Sequence, residues 1–165
     1  MLEDKIQIYC GTGSGRSAAA IGQGIRYASA GKSVMVVRFL KGNDILKQDY
    51  IKRLEPELKI FAFEKFDKWY NDLTCEEQKE EQLHIRNGLN FARKVLVTEE
   101  CDVLILDELL DLVHMGIVSE EEVKQLLESV SDQTILILTG THRCESLWSY
   151  ATRITEMSTL KEPEA

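Results

Sequence analysis

Cys10-Gly11-Thr12-Gly13-Ser14-Gly15-Arg16-Ser17 is the stretch on which the fold turns. Before it, Lys5-Ile6-Gln7-Ile8-Tyr9 alternates apolar and polar residues as a strand does; after it, Ala18-Ala19-Ala20-Ile21 opens a helical pattern. Strand, glycine loop and helix together form the setting of a phosphate-binding loop. Gly11, Gly13 and Gly15 let the backbone turn in on an anion without a Cβ in the way. The free amides and dipole at the start of the next helix then hold that anion. Against the pattern G-x-x-x-x-G-K-[ST], Gly15 and Ser17 match, while Cys10 stands at the first glycine and Arg16 at the lysine. By itself the stretch also fits a plain turn between a strand and a helix. A second stretch decides between the two: Asp102-Val103-Leu104-Ile105-Leu106-Asp107-Glu108 is a buried-strand run ending in two carboxylates, the form that supplies the magnesium-side acids of P-loop proteins.

Outward from these two stretches, strand and helix patterns alternate along all 165 residues. Strands are expected at 5–10, 34–40, 60–63, 102–107, 134–139 and 153–157. Helices are expected at 17–30, 44–54, 74–98, 119 to about 130, and 144–151. Thr74 with Glu77, and Ser119 with Glu122, have capping-box spacing. The tail, 161–165, reads as frayed. No linker or internal repeat interrupts the chain, so residues 1–165 are expected to form one domain. The expected fold is α/β, a three-layer α/β/α P-loop NTPase-like arrangement with a mainly parallel sheet. Ligands of such sheets lie beyond the carboxyl ends of the strands, which groups 11–17, 40–43, 107–111 and 139–143.

Composition narrows the partners. The net charge is −8 and the pI near 5.0. An acidic surface argues against general affinity for nucleic acid or anionic membranes, and no apolar run approaches a membrane span. The four cysteines are scattered without a C-x-x-C pair. They read as reduced thiols of a cytoplasmic protein rather than a zinc site.

Several stretches together resemble the P-loop-type ATP:corrinoid adenosyltransferases, the cob(I)yrinic acid a,c-diamide adenosyltransferase family. Tyr9 to Ser17 is similar to that family's Y-T-G-N-G-K-G-K-T, which also lacks the first glycine. Val36-Val37-Arg38-Phe39-Leu40-Lys41-Gly42 resembles V-V-Q-F-L-K-G. Val103 to Glu108, with Gly116-Ile117-Val118 and Glu121-Glu122-Val123, resembles the V-V-L-D-E strand and the helix after it. Leu138-Thr139-Gly140 and, further on, Thr155-Glu156-Met157 resemble L-T-G-R…T-E-M.

The resemblance implies transfer of the 5′-deoxyadenosyl group of ATP to Co(I) of a corrinoid, with triphosphate as leaving group, in adenosylcobalamin synthesis or salvage. Cobalt is then the nucleophile, and the protein positions the reactants and stabilises the departing charge. Gly11, Thr12, Gly13, Ser14, Gly15, Arg16, Ser17 and Arg143 would bind nucleotide. Arg16, Lys41 and Glu108 would act in catalysis, and Ser17, Asp107 and Glu108 would hold Mg²⁺. Phe66 and Trp69 stand where the family has a Phe and a Trp against the corrin; the other reading is that they pack in the core or on a helix. His84, His114 and His142 are possible axial or phosphate contacts, with ordinary surface positions as the other reading. Implied partners are ATP, a reduced corrinoid, a flavoprotein-type reductant and a second copy in a homodimer. Ser14 and Arg16 replace the loop lysines, Thr141 replaces the Arg of T-G-R, and Arg38 replaces a Gln. These departures keep open a non-catalytic nucleotide- or corrinoid-binding relative, as well as a P-loop ATPase or small kinase.

Overall fold

The computed structural model describes residues 4–40 and 48–164. Six strands form one sheet: β1 (Ile6–Cys10), β2 (Val34–Arg38), β3 (Leu58–Ala62), β4 (Val103–Asp107), β5 (Ile135–Thr139) and β6 (Arg153–Glu156). Their spatial order is β3-β2-β4-β5-β1-β6, and every pairing is parallel. The expected three-layer α/β architecture is therefore present. The helices are α1 (Arg16–Ser29), α2 (Gln48–Lys52), α3 (Cys75–Thr98), α4 (Leu109–His114) and α5 (Glu120–Glu128).

The central strands are buried on both faces, and alternate residues feed two separate cores. Ile6, Ile8, Val37, Leu104, Leu106, Leu136 and Leu138 face the side covered by α3, α4 and α5. Tyr9, Val34, Val36, Val103, Ile105, Ile135 and Ile137 face the side of α1 and α2. A period of two on a sheet covered twice produces this division. The Ala- and Gly-rich start of α1 lets it lie close to the sheet; a Cβ on Gly24 would meet the side chains of Ile105 and Val34 at 3.1 and 3.2 Å.

Both expected capping boxes are formed. Thr74 Oγ1 accepts from Glu77 N at 3.2 Å and Glu77 Oε2 from Thr74 N at 2.8 Å; Ser119 and Glu122 do the same for α5. Differences from the expected elements are local. β3 begins two residues before the expected 60, and β2 ends at Arg38. The 144–151 segment is a 3₁₀ helix over Glu145–Tyr150 rather than an α-helix, which places Leu147 in the core. α4 was not anticipated, because its run Leu109-Leu110-Asp111-Leu112-Val113 has no polar face of its own to mark a helix. Of the expected helix 44–54, residues 44–47 lie outside the described residues. Among the described residues, no helix is long and apolar enough to cross a membrane.

Removing the α3 cap with Thr74→Ala is expected to cost about 1 kcal/mol. It should appear as a lower denaturant midpoint with an unchanged m-value.

Candidate functional site

At the carboxyl ends of the strands lies a cavity of about 620 Å³. Ser14, Gly15, Arg16, Ser17 and Ala18 form one wall; Leu40, Trp69, Tyr70 and Asn71 form another; Glu108, Asp111, Met115 and Thr141 come from the ends of β4 and β5 and from α4. Loops after five strands thus converge on one space, as the geometry of a parallel sheet requires.

The wall formed by the glycine loop begins at a left-handed turn. Gly15, with φ at +98°, is the residue before α1. The first intrahelical bond is Ala19 N to Gly15 O, so the amides of Gly15, Arg16, Ser17 and Ala18 have no helical acceptor and all four residues line the cavity. A Cβ on Gly15 would meet nothing within 4 Å. The other two glycines answer to a different constraint. A Cβ on Gly11 would strike Met157 O at 2.3 Å, and one on Gly13 would lie 2.8 Å from Met157 C. The chain after β6 runs directly behind the loop: Gly13 N donates to Met157 O at 2.9 Å, and Ser14 N to Thr159 Oγ1 at 3.2 Å. Gly11, Thr12 and Gly13 therefore support the loop from behind and do not line the cavity.

The acidic side is reached across the sheet. β5 separates β1 from β4, and the pairing Leu106↔Leu138 sets Asp107 beside Thr139. Thr139 Oγ1 donates to Asp107 Oδ1 at 2.9 Å and accepts from Glu108 N at 2.8 Å. Ser17 Oγ reaches the same Asp107 Oδ1 at 2.6 Å and Glu108 Oε1 at 3.3 Å. Glu108 has a left-handed backbone, φ 62°, which turns its side chain from the strand toward the loop. Burial pushes the Asp107 carboxyl up; the hydroxyls of Ser17 and Thr139 and the guanidiniums of Arg38 and Arg16 oppose this. Glu108 is pushed up to about 8, by burial first, then by its hydrogen bond to Asp111 and the charges of Asp107 and Asp111. Asp111 is pulled below its ordinary value despite its burial, by hydrogen bonds from Glu108, His142 and Thr141 N. The opposite directions of the two shifts favour a proton on Glu108 over one on Asp111.

Ser17, Asp107 and Glu108 present only oxygen donors, packed so tightly that one carboxyl retains its proton. This donor set fits a hard divalent cation such as Mg²⁺, with phosphate oxygens and water completing its shell. Among the described residues, no three His, Cys, Asp or Glu side chains form a metal cage of their own.

Arg16 lies inside the site but faces its own loop. Nη1 donates to Gly11 O at 2.9 Å and Gly13 O at 2.6 Å, and Nη2 stands 3.5 Å from Glu108 Oε1. Its Nε is buried without a partner. Trp69 lines the cavity; Phe66 does not, and its ring lies under Lys65 Nζ at 5.3 Å. Arg143 stands outside the cavity lining, paired with Glu156 at 3.2 Å and Glu145 at 3.4 Å and stacked on Trp148. Lys41 lies outside the described residues. His142 bonds Asp111 at 3.0 Å and stacks on His114 with ring centroids 3.4 Å apart; neither lines the cavity. Asp111 and Thr139 fall within the stretches 107–111 and 139–143 that the sequence groups at the crevice, and Thr139 within the L-T-G stretch, but neither is singled out as a site residue there; Tyr70, Asn71 and Met115 carry no such signal.

The Glu108 proton makes stability depend on pH in a defined sense. The folded carboxyl titrates near 8 and the unfolded one near 4.5, so between these values the folded state binds the extra proton and stability declines as pH rises. Glu108→Gln keeps an N–H donor toward Asp111 and removes this titration. Melting curves from about pH 5 to about pH 9 should show the variant more stable than the parent at the alkaline end, with the gap closing toward acid. Parallel curves would contradict the shared proton.

These features have counterparts among known proteins. A corrinoid adenosyltransferase of Escherichia coli (strain K12) is 28% identical over 161 residues, covering 94% of this chain and 77% of that protein. An uncharacterized protein of Nostoc sp. is 26% identical over 183 residues, covering 99% of this chain and 46% of its own length. The crystal structure of the flagellar accessory protein FlaH from Methanocaldococcus jannaschii superposes with a TM-score of 0.61 at 16% identity, over 93% of this chain and 70% of that one, and shares the fold. Matched from residue 3 to residue 165 by the model of the ATP:corrinoid adenosyltransferases BtuR/CobO/CobP, the chain belongs to that family.

Proposed function

We propose that this chain transfers the 5′-deoxyadenosyl group of ATP to Co(I) of a corrinoid and releases triphosphate. One observation carries the reading. A single cavity joins helix-start amides, the half-buried acids Glu108 and Asp111, and an aromatic wall of Trp69 and Tyr70. A phosphoryl-transfer enzyme has use for the first two; the third suits a large flat apolar partner.

In the reaction, the electron pair of Co(I) forms the cobalt–carbon bond at C5′, and the C5′–oxygen bond breaks with its pair going to the triphosphate. No side chain needs to be a nucleophile. The amides of Gly15 to Ala18 hold the triphosphate, and the positive end of α1 favours the charge that grows on it. Mg²⁺, held by Ser17, Asp107 and Glu108, would neutralise part of that charge. Leu40, Trp69 and Met115 offer an apolar surface to the corrin and limit its contact with water. Arg16 serves the departing triphosphate only after releasing the Gly11 and Gly13 carbonyls, because its Nη1 is committed to both.

That commitment favours a second reading, a relative that binds nucleotide and corrinoid without turnover. Anaerobic incubation with ATP, Mg²⁺ and chemically reduced cobalamin separates the two. The adenosyltransferase reading expects adenosylcobalamin and triphosphate in equal amounts. Release of ADP and phosphate would point to a phosphoryl-transfer ATPase or kinase, and binding without product to the second reading. Arg16→Ala should lower kcat and kcat/KM together by roughly 10²-fold, as for loss of one preorganised charge donor. Arg16→Lys should retain or raise activity. Indifference to Arg16→Ala in an active parent would remove Arg16 from the mechanism.

A further inference from the structure

The wall formed by Trp69, Tyr70 and Asn71 belongs to a stretch with little regular structure, residues 63–74, between β3 and α3. Left to itself such a stretch would sample many positions, and a wall that moves cannot hold a flat ligand. It is tied down at both ends by one face of α3.

Glu81 is the first tie. Its side chain is 3% exposed, a position a carboxylate takes only when its oxygens are bonded. Oε1 accepts from Lys65 N at 3.0 Å, and Oε2 from Phe66 N at 3.1 Å. Two main-chain donors converge on one side chain, and a carboxylate meets both, whereas an amide would turn its own NH₂ on one of them. The second tie is a pair of glutamines. Gln78 Nε2 donates to Tyr70 O at 3.1 Å, and Gln82 Nε2 to Tyr70 Oη at 2.7 Å. Residues 78, 81 and 82 share a helix face by their i, i+3, i+4 spacing. That helix is itself seated against the sheet. A Cβ on Gly88 would lie 2.9 Å from the Phe63 ring and 3.0 Å from the Phe39 ring, so α3 is packed closely on both and cannot move nearer to them. Gln78, Glu81 and Gln82 do not line the cavity.

We infer that Gln78, Glu81 and Gln82 are positioning residues that set the place of the Trp69–Tyr70–Asn71 wall, and through it the affinity for corrinoid independently of that for ATP. The inference rests on the corrinoid reading of the cavity. ATP is held on the opposite wall by the start of α1, which none of the three residues touches, so the two affinities respond separately.

The test uses the full chain, anaerobically, with cob(II)alamin as the probe in the presence of ATP and Mg²⁺. Corrinoid binding is read by quenching of tryptophan fluorescence, since the corrin absorbs where indole emits. ATP binding is read by calorimetry without corrinoid. Two variants are compared with the parent: Glu81→Gln, and the double variant Gln78→Ala/Gln82→Ala, whose side chains are half-buried and exposed and whose loss leaves the core intact. Each should weaken cob(II)alamin binding by about tenfold, the effect of losing one or two hydrogen bonds, while the Kd for ATP stays within about twofold. Should Glu81→Gln fail to fold, the double variant alone decides. Folded variants that bind cob(II)alamin like the parent, or that lose ATP and corrinoid affinity by the same factor, overturn the positioning role. A parent that binds ATP but shows no quenching by cob(II)alamin overturns the corrinoid reading and this inference with it.

Discussion

Asp107 places a carboxylate at a strand end where little water reaches, and the surrounding chain is arranged to meet that cost. The two hydroxyls on its Oδ1 come from Ser17 at the start of α1 and Thr139 at the end of β5. The start of α1, which follows β1, and the ends of β5 and β4 are thereby tied at one level by a single oxygen. The parallel register makes this possible: β5 lies between the other two strands, and its last residue is the one in reach of both sides. Glu108 then bonds Thr139 through its amide and turns back, with left-handed backbone, to share a proton with Asp111. Two acids this close, in so little solvent, do not both ionise readily without a cation beside them.

The phosphate loop is held from two directions. The chain after β6 takes the amides of Gly13 and Ser14, and Arg16 takes the carbonyls of Gly11 and Gly13. The amides from Gly15 to Ala18 have no helical acceptor, and their residues line the cavity. A loop fastened in this way costs little further ordering when it meets an anion, the usual benefit of preorganisation. Arg16 braces the loop through these two carbonyls, and in the proposed reaction it would have to exchange them for phosphate oxygens.

Opposite the loop the cavity changes character. Leu40 and Trp69 are apolar, Tyr70 adds an aromatic ring whose hydroxyl accepts from Gln82 outside the cavity lining, and Asn71 is polar. One wall thus suits a hydrated, charged chain of phosphates, and the other a flat hydrophobic body. The two walls are anchored by different helices, α1 and α3, on opposite faces of the sheet.

Much of this was legible in the sequence, for physical reasons. Strand–glycine–helix order, apolar runs of strand length and capping boxes are local signals, since each is satisfied by residues within a few positions of one another. They located the elements, the three-layer class, the loop and the Asp107–Glu108 strand end. Only the tertiary structure decided which of those residues face the ligand. Gly11 and Gly13 look like phosphate glycines, yet a segment some 145 positions away, running behind the loop, is what excludes their Cβ atoms. Arg143 and Phe66 lie near the expected stretches but spend their side chains on Glu156, Glu145, Trp148 and Lys65. Asp111 and Met115 carry no motif, and the L-T-G stretch around Thr139 does not reveal which acid it bonds; they enter the site because β5 lies between β1 and β4 and because α4 starts abruptly after Glu108. Distance along the chain says nothing about such meetings; the register of a parallel sheet and the turn at its edge decide them.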